Sequence, residues 1–138
     1  MFLFRRNGVR TMRALRSLYW IFIAQNSPEG RAERLLRDWL SPEQLAQFDA
    51  DGYFEVTGCH SGRRYRIHRR TMSNVVEVDA DGQPAIGWCF VPERGLAVGD
   101  VMLAQKIALE TDETAVLALA RPFCPRPPSL PRAVRRAY

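Results

Sequence analysis

The sequence has few cysteines and no long apolar run. Its three cysteines, Cys59, Cys89 and Cys124, are odd in number and too few for a disulfide framework, which is typical of a reducing compartment. The longest unbroken apolar run, Leu18 to Ala24, has seven residues, far short of the roughly 20 needed to cross a bilayer. These absences argue against a disulfide-rich secreted scaffold and a transmembrane helix, and we expect a cytoplasmic protein.

Recognised catalytic and cofactor motifs are also missing. The sequence contains no phosphate-binding P-loop, no dinucleotide glycine motif and no Cys-x-x-Cys pair. We therefore predict that the protein is not an enzyme and has neither a cofactor nor a metal site. A zinc alternative would set Cys59 or His60 against His68, with Cys89 as a further ligand. An enzymatic alternative would use Cys59 as the nucleophile and His68 as its base.

Acidic residues are absent from both ends of the chain. Residues 1–26 hold five arginines and residues 121–138 hold another five, with no aspartate or glutamate in either segment. The middle of the chain, residues 27–120, carries all 15 acidic residues and ten basic ones, a net charge of −5. An acidic domain between two basic ends is typical of a protein whose ends act in association.

The first part of the chain predicts three helices. Residues 11–25 have the spacing of one apolar helix face, formed by Leu15, Leu18, Tyr19 and Phe22. We expect this helix to dock on the core or on a partner subunit, and the alternative is contact of residues 11–25 with a membrane surface. Ser27-Pro28 and the capping-box sequence Ser41 to Gln44 predict the starts of the next two helices.

Residues 53–91 predict a four-stranded antiparallel meander, whose second strand lies in the basic stretch Arg63 to Arg70. In the first hairpin, pairing Thr57 with Gly62 across a four-residue loop brings the apolar side chains to one face. That face consists of Phe54, Val56, Tyr65 and Ile67. The register therefore turns these four residues toward the core.

The arginines of the second strand then lie on the other face, with Glu55 opposite Arg64. We predict a candidate binding face made of Arg64, Arg66, His68, Arg69 and Tyr53. Such a face can contact phosphates or an acidic protein. The competing interpretation is a solvated strand face whose charges are matched by nearby acids.

The second hairpin joins residues 74–79 to residues 84–91 through a three-residue loop, Ala80 to Gly82, with Gly82 left-handed. This loop places Val76, Val78, Ile86 and Trp88 on the core face. Asp100 is expected to cap a helix from Val101 to Glu110, followed by a kink or a restart and a second helical segment up to Ala120. The helical side of the core is expected to include Leu36, Trp39, Leu103, Ile107 and Leu117.

The predicted fold is α+β, with N-terminal helices, a four-stranded antiparallel meander at about 53–91, and a C-terminal helix or helix pair over 101–120 packed on one face of the sheet. Residues 1–26 form a basic arm and an amphipathic helix, and residues 27–120 form a single domain. Residues 121–138 are rich in proline and arginine, and we predict a disordered tail.

Several stretches resemble those of small uncharacterised bacterial proteins of the proteobacteria. They are Gly62 to Ile67, Asn74-Val75, Cys89-Phe90 with Pro92, Gly99 to Lys106 and Leu109 to Glu113. The likeness covers about residues 41–120 and implies a stand-alone module. It implies no catalytic residues and no ligand, because no activity is known for that group.

The leading hypothesis is a small non-enzymatic binding or accessory module that acts through a protein partner. It rests on the missing catalytic motifs and on the two cationic ends. The alternative is a nucleic-acid-binding protein in which the strand Arg63 to Arg70 and the two ends contact RNA or DNA phosphates.

Overall fold

The computed structural model describes residues 4–125, with side chains from residue 10 onward. Within that range the protein is α+β, with five helices and one five-stranded antiparallel sheet. The helices are α1 (Phe4–Asn26), α2 (Pro28–Trp39), α3 (Pro42–Asp51), α4 (Val98–Thr111) and α5 (Glu113–Ala118). The strands are β1 (Tyr53–Thr57), β2 (Arg64–His68), β3 (Val75–Val78), β4 (Pro84–Cys89) and β5 (Arg121–Phe123), in that order across the sheet.

Helices α2 and α3 begin where the sequence predicts. The Ser27 side chain accepts a hydrogen bond from the Gly30 N–H at 3.1 Å, and Ser41 and Gln44 form a reciprocal capping box. Helix α1 is longer than predicted, because it begins at Phe4 and not near residue 11.

The start of α4 differs from the prediction. Asp100 does not cap this helix, which begins at Val98 without a side-chain cap and places Asp100 in its first turn. An acidic side chain there still interacts favourably with the helix dipole. The predicted restart is present, because Asp112 ends α4 and caps α5 by accepting a hydrogen bond from the Ala115 N–H at 3.4 Å.

The first hairpin has the predicted faces but not the predicted register. Thr57 pairs with Arg64 instead of Gly62, and Glu55 lies opposite Arg66. The connection between the strands therefore has six residues instead of four. Because a shift of two residues keeps every side chain on its face, the predicted core residues of this hairpin are all buried: Phe54, Val56, Tyr65 and Ile67.

The second hairpin has the predicted three-residue loop. Gly82 has a φ of +76°, and the Asp79 N–H donates to the Gln83 carbonyl across the loop at 2.9 Å. Beyond this loop the register shifts between Glu77 and Val78, which marks a β-bulge or irregularity in the pairing.

This irregularity overturns the predicted face of β3. Val76 and Val78 were predicted on the core face and are buried, as expected of core residues. However, they pair with Arg66 and Arg64, so they lie on the face away from the helices and outside the main core cluster. Val75, opposite Ile67, enters the core instead. The one-residue shift near the turn exchanges the two faces of the strand.

The core lies between one face of the sheet and helices α2, α3 and α4. The largest fully buried side chains include Tyr65, Phe54, Leu36, Ile67, Met102 and Leu109. The predicted helical contributors Leu36 and Leu103 are buried, and Leu117 packs against the same cluster. Trp88 also packs against it, as predicted.

Three predicted core residues are exposed: Trp39 (57%), Ile107 (38%) and Ile86 (39%). In α2 the buried positions are Ala32 and Leu36, and Leu40, the residue after the helix, is also buried, so the buried positions follow an i, i+4 spacing toward the core. Trp39 lies off this line of buried positions and is therefore left in solvent.

Strand β5 is a correction to the predicted four-stranded sheet. It lies in the segment predicted as a tail and pairs antiparallel with the edge of β4, with Phe123 opposite Gly87. A Cβ on Gly87 would collide with the Phe123 ring, so glycine allows the ring to lie across β4. Pro122 is compatible with an edge strand. Residues 126–138 of the predicted tail lie outside the described residues.

Close packing of α4 on α2 yields a first testable prediction. A Cβ added to Gly99 would lie 2.6 to 2.8 Å from backbone atoms of Ala32 and Glu33. Gly99→Ala is expected to lower the free energy of unfolding by about 1–3 kcal/mol, measured by urea denaturation, because backbone atoms cannot yield. Gly→Ala inside an uncrowded helix would instead be stabilising by up to about 1 kcal/mol, so a stabilised variant would contradict the close approach.

Candidate functional site

Helix α1 exposes apolar side chains on all sides. Every residue from 10 to 26 is exposed to solvent. The exposed large apolar side chains are Met12, Leu15, Leu18, Tyr19, Trp20, Ile21, Phe22 and Ile23. Successive residues of a helix are about 100° apart, so the consecutive apolar residues from Leu18 to Ala24 cover its full circumference. Of the two alternatives expected for this helix, docking on the core of its own domain is wrong, and docking on a partner subunit stays a prediction.

The turn between α1 and α2 explains why α1 leaves the domain. The Ser27 N–H and hydroxyl both donate to the Ala24 carbonyl, at 3.4 and 2.6 Å. A Cβ on Gly30 would collide with the carbonyls of Ala24 and Gln25, so glycine lets the end of α1 rest on α2. A helix of 23 residues is about 34 Å long, and these contacts anchor its C-terminal end to α2.

Basic side chains occupy the other half of α1. Arg10, Arg13 and Arg16 are exposed and form no ion pair within the described part of the chain. α1 thus combines exposed positive charge with the largest group of exposed apolar side chains on the described surface. Exposed apolar patches of this kind mark interaction sites.

Four of the five residues predicted for the candidate binding face lie together, and we call them the arginine face. Glu55 of the same domain contacts both of its arginines. Arg66 Nε lies 3.1 Å from Glu55 Oε1 and Arg64 Nη1 lies 3.5 Å from Glu55 Oε2. The Arg66 guanidinium also lies over the Tyr53 ring, 4.9 Å from its centroid, and the ring of His68 lies 5.2 Å from the Tyr53 ring. The structure therefore brings Tyr53, Arg64, Arg66 and His68 together.

Arg69 does not belong to this face. Its guanidinium forms two hydrogen bonds with the Glu33 carboxylate, at 3.0 and 3.3 Å, and lies over the Phe48 ring at 4.4 Å. These contacts with α2 and α3 place it in the helical layer. The cause is the alternation of side chains along an extended chain, which turns Arg69 to the side opposite His68.

A second group of polar residues surrounds the Glu113 carboxylate, which is 3% exposed. It accepts hydrogen bonds from the His60 N–H at 2.9 Å, from the Ser61 N–H at 2.8 Å and from the Tyr65 hydroxyl at 2.6 Å. The Ser61 hydroxyl is a fourth donor. Gly58 allows this approach, because a Cβ there would collide with the carboxyl group. The loop between β1 and β2 is thereby fixed to the start of α5.

These hydrogen bonds control two pKa values. Burial favours the neutral form of Glu113, but the donors from Ser61, Tyr65 and His60 outweigh it and lower its pKa to about 2. Burial, followed by the hydrogen bond to Glu113, raises the pKa of Tyr65 above its usual value. Both effects keep a charged acceptor and a protonated donor at neutral pH.

The same group contains three residue types that bind metals. One ligand atom from each of Cys59, His60 and Glu113 lies within 4.8 Å of the others. However, a carboxylate has about four lone-pair positions, and Glu113 already accepts four hydrogen bonds. His60 Nδ1 is also in use, because it lies 2.9 Å from Thr114 Oγ1 and 3.3 Å from the Thr114 N–H. These three residues are therefore better suited to fixing the loop between β1 and β2 than to coordinating a metal ion.

The pairs considered from the sequence are not brought together. His68 lies opposite Tyr53 at the far end of the first hairpin from Cys59 and His60, so it is neither a shared metal ligand nor a base for Cys59. Cys89 is on β4, on the other side of β3 from β2. The sequence pattern did not reveal Glu113 as a functional residue, although a buried tyrosine hydroxyl at position 65 needs a hydrogen-bond partner.

No protein-family model, curated protein or solved structure gives a significant match to the chain. None of the helices within residues 4–125 has the length and apolarity needed to cross a bilayer.

Proposed function

We propose that the protein is a non-enzymatic binding module whose recognition element is α1, and that α1 is received by an apolar groove with an acidic rim on a different protein. The observation that carries this proposal is the exposure of eight large apolar side chains on α1. A helix that is apolar on all sides is normally buried. The rest of the domain provides a folded support.

The distribution of residues on α1 favours a surrounding protein groove over other occupants. A helix lying on a lipid surface buries one face, which would leave part of the apolar circumference from Leu18 to Ala24 in water. A second copy of α1 would bring more arginines and no acid, since residues 1–26 contain no aspartate or glutamate. An acidic rim complements Arg10, Arg13 and Arg16 and would accelerate association.

The arginine face supports nucleic-acid binding less well than α1 supports protein binding. Glu55 contacts Arg64 and Arg66, and Glu33 contacts Arg69. Phosphate binding to these three arginines would compete with acids that are already in place. The nucleic-acid alternative therefore ranks second.

The test is to find the partner and then to remove the apolar anchors. A photo-crosslinking residue at position 19 of the full chain is expected to trap one discrete protein in the native cell, whereas the same residue at the exposed Leu119 position traps none. With that protein purified, Leu18→Gln combined with Phe22→Gln is expected to weaken binding at least 100-fold, measured by calorimetry, because each buried side chain contributes about 1.5–3 kcal/mol.

Both side chains are more than 60% exposed in the domain alone, so the double variant is expected to unfold at the same temperature as the wild type. Leu119→Gln, at an 82% exposed residue, is the matched control and should bind normally. Equal binding of the double variant would contradict the proposal. So would self-association through α1 in sedimentation experiments, or flotation of the purified protein with anionic vesicles that the double variant abolishes.

A further inference from the structure

A cleft of about 550 Å³ lies on the face of the sheet away from the helices. The cleft is lined on one side by Arg66, His68 and Arg70. Val76 of β3 also lines it, and the other side consists of Phe123 and the two residues that follow it. Its volume is in the range of small-molecule sites, about 300–1,000 Å³.

Two local features accompany the cleft. The Phe123 ring reaches its position because Gly87 has no side chain there. Ser73, which also lines the cleft, has a φ of +50°, the only positive φ of a non-glycine residue in the part of the chain that the structure describes. Left-handed backbone at such a residue costs of order 1–2 kcal/mol and is found preferentially at ligand-binding positions.

The cleft is positively charged. No acidic residue is among those that line it, and Arg70 is exposed without an ion pair within residues 10–125. Within residues 10–125, Glu55 is the one carboxylate that forms an ion pair with Arg66, and it is shared with Arg64. Burial and then the charges of Arg70 and Arg66 lower the pKa of His68, so the imidazole is neutral near pH 7.

From this geometry we infer that the cleft binds a nucleotide, with its phosphate at Arg70, which has no acidic partner within residues 10–125, and its base against Phe123. Arginine suits this role because its planar guanidinium forms paired hydrogen bonds with phosphate oxygens. The Ser73 hydroxyl and the neutral His68 imidazole supply further hydrogen bonds. The phosphate comes either from a free mononucleotide or from a single-stranded nucleic acid, and the site is independent of α1.

The test follows the two histidines of the full chain by NMR during pH titration, with AMP, adenosine, inorganic phosphate and an eight-nucleotide DNA strand as probes. AMP is expected to raise the pKa of His68, because the bound phosphate offsets the two arginines. His60 lies at the other end of the hairpin and should not change. Adenosine, which lacks the phosphate, should leave both unchanged.

Arg70→Gln is expected to weaken AMP binding about 10- to 100-fold, because one charge-assisted hydrogen bond is lost. Arg34→Gln, at an exposed residue of α2, is the control and should bind normally. Binding of the DNA strand at least tenfold tighter than AMP would identify nucleic acid as the source, and equal or weaker binding would identify a free nucleotide. The inference is overturned if neither probe shifts His68 at millimolar concentration, if inorganic phosphate acts as strongly as AMP, or if Arg34→Gln weakens binding as much as Arg70→Gln.

Discussion

Glu113→Gln is expected to lower the free energy of unfolding by about 3 kcal/mol at pH 7. The shift of the Glu113 pKa from 4.5 to about 2 corresponds to roughly this energy. Glutamine has nearly the same shape, but its amide nitrogen is a donor and would face N–H or O–H groups that are donors themselves. Urea denaturation of the full chain measures the difference. Glu43→Gln, at an exposed carboxylate in the first turn of α3, is the control and should cost only a few tenths of a kcal/mol.

The difference in unfolding free energy between wild type and Glu113→Gln is expected to depend on pH with a definite sign. A carboxyl group whose pKa is lower in the folded state contributes stability that is fully present above its unfolded value, here 4.5, and is lost as the pH falls toward 2. The stability difference between wild type and Glu113→Gln should therefore be constant from pH 5 to pH 7 and shrink between about pH 4.5 and pH 2. A difference that does not change over this acid range would show that Glu113 is not the charged acceptor described above.

The first hairpin shows what alternation of apolar residues can and cannot predict. The apolar pattern fixes which side chains face the core, and Phe54, Val56, Tyr65 and Ile67 do so. It does not distinguish registers that differ by two residues. The observed six-residue connection is held open by hydrogen bonds from His60 and Ser61 to Glu113, more than 50 residues away in the sequence, and a local pattern contains no trace of that contact.

The predictions for the second hairpin and for α1 were partly wrong, for different reasons. The turn at Gly82 was predicted, but the shift between Glu77 and Val78 has no signature in a run of three valines and one glutamate. For α1 the pattern predicted a helix and was right about that. Its apolar residues could not indicate what covers them, because the described domain contains no surface that does so.

The arginine face illustrates a partial success. Alternation placed Arg64, Arg66 and His68 together, and the structure agrees. Arg69 was predicted on the same face, but the same alternation turns it toward Glu33. The cleft beside this face could not be predicted, because one of its sides is formed by Phe123 on a strand that the sequence pattern did not reveal.

Gly58→Ala is expected to cost about 2–3 kcal/mol of unfolding free energy, and this cost should depend on Glu113. Gly58 does not have a positive φ, so alanine introduces no backbone strain. Its methyl group would instead occupy the space of the Glu113 carboxyl group, which cannot retreat without losing hydrogen bonds from Ser61 and Tyr65. Urea denaturation in the wild-type and Glu113→Ala backgrounds measures the coupling between the two positions.

In the Glu113→Ala background the methyl group has room, so the cost of Gly58→Ala should fall below about 1 kcal/mol, a coupling within the range known for residues in contact. Gly62→Ala is the matched control in the same loop. Gly62 has a φ of +72° and nothing within 4 Å of an added Cβ, so its cost of about 1–2 kcal/mol comes from the left-handed backbone and should be equal in both backgrounds. Equal costs for Gly58→Ala in both backgrounds would mean that the carboxylate does not hold the loop and that the six-residue connection has another cause.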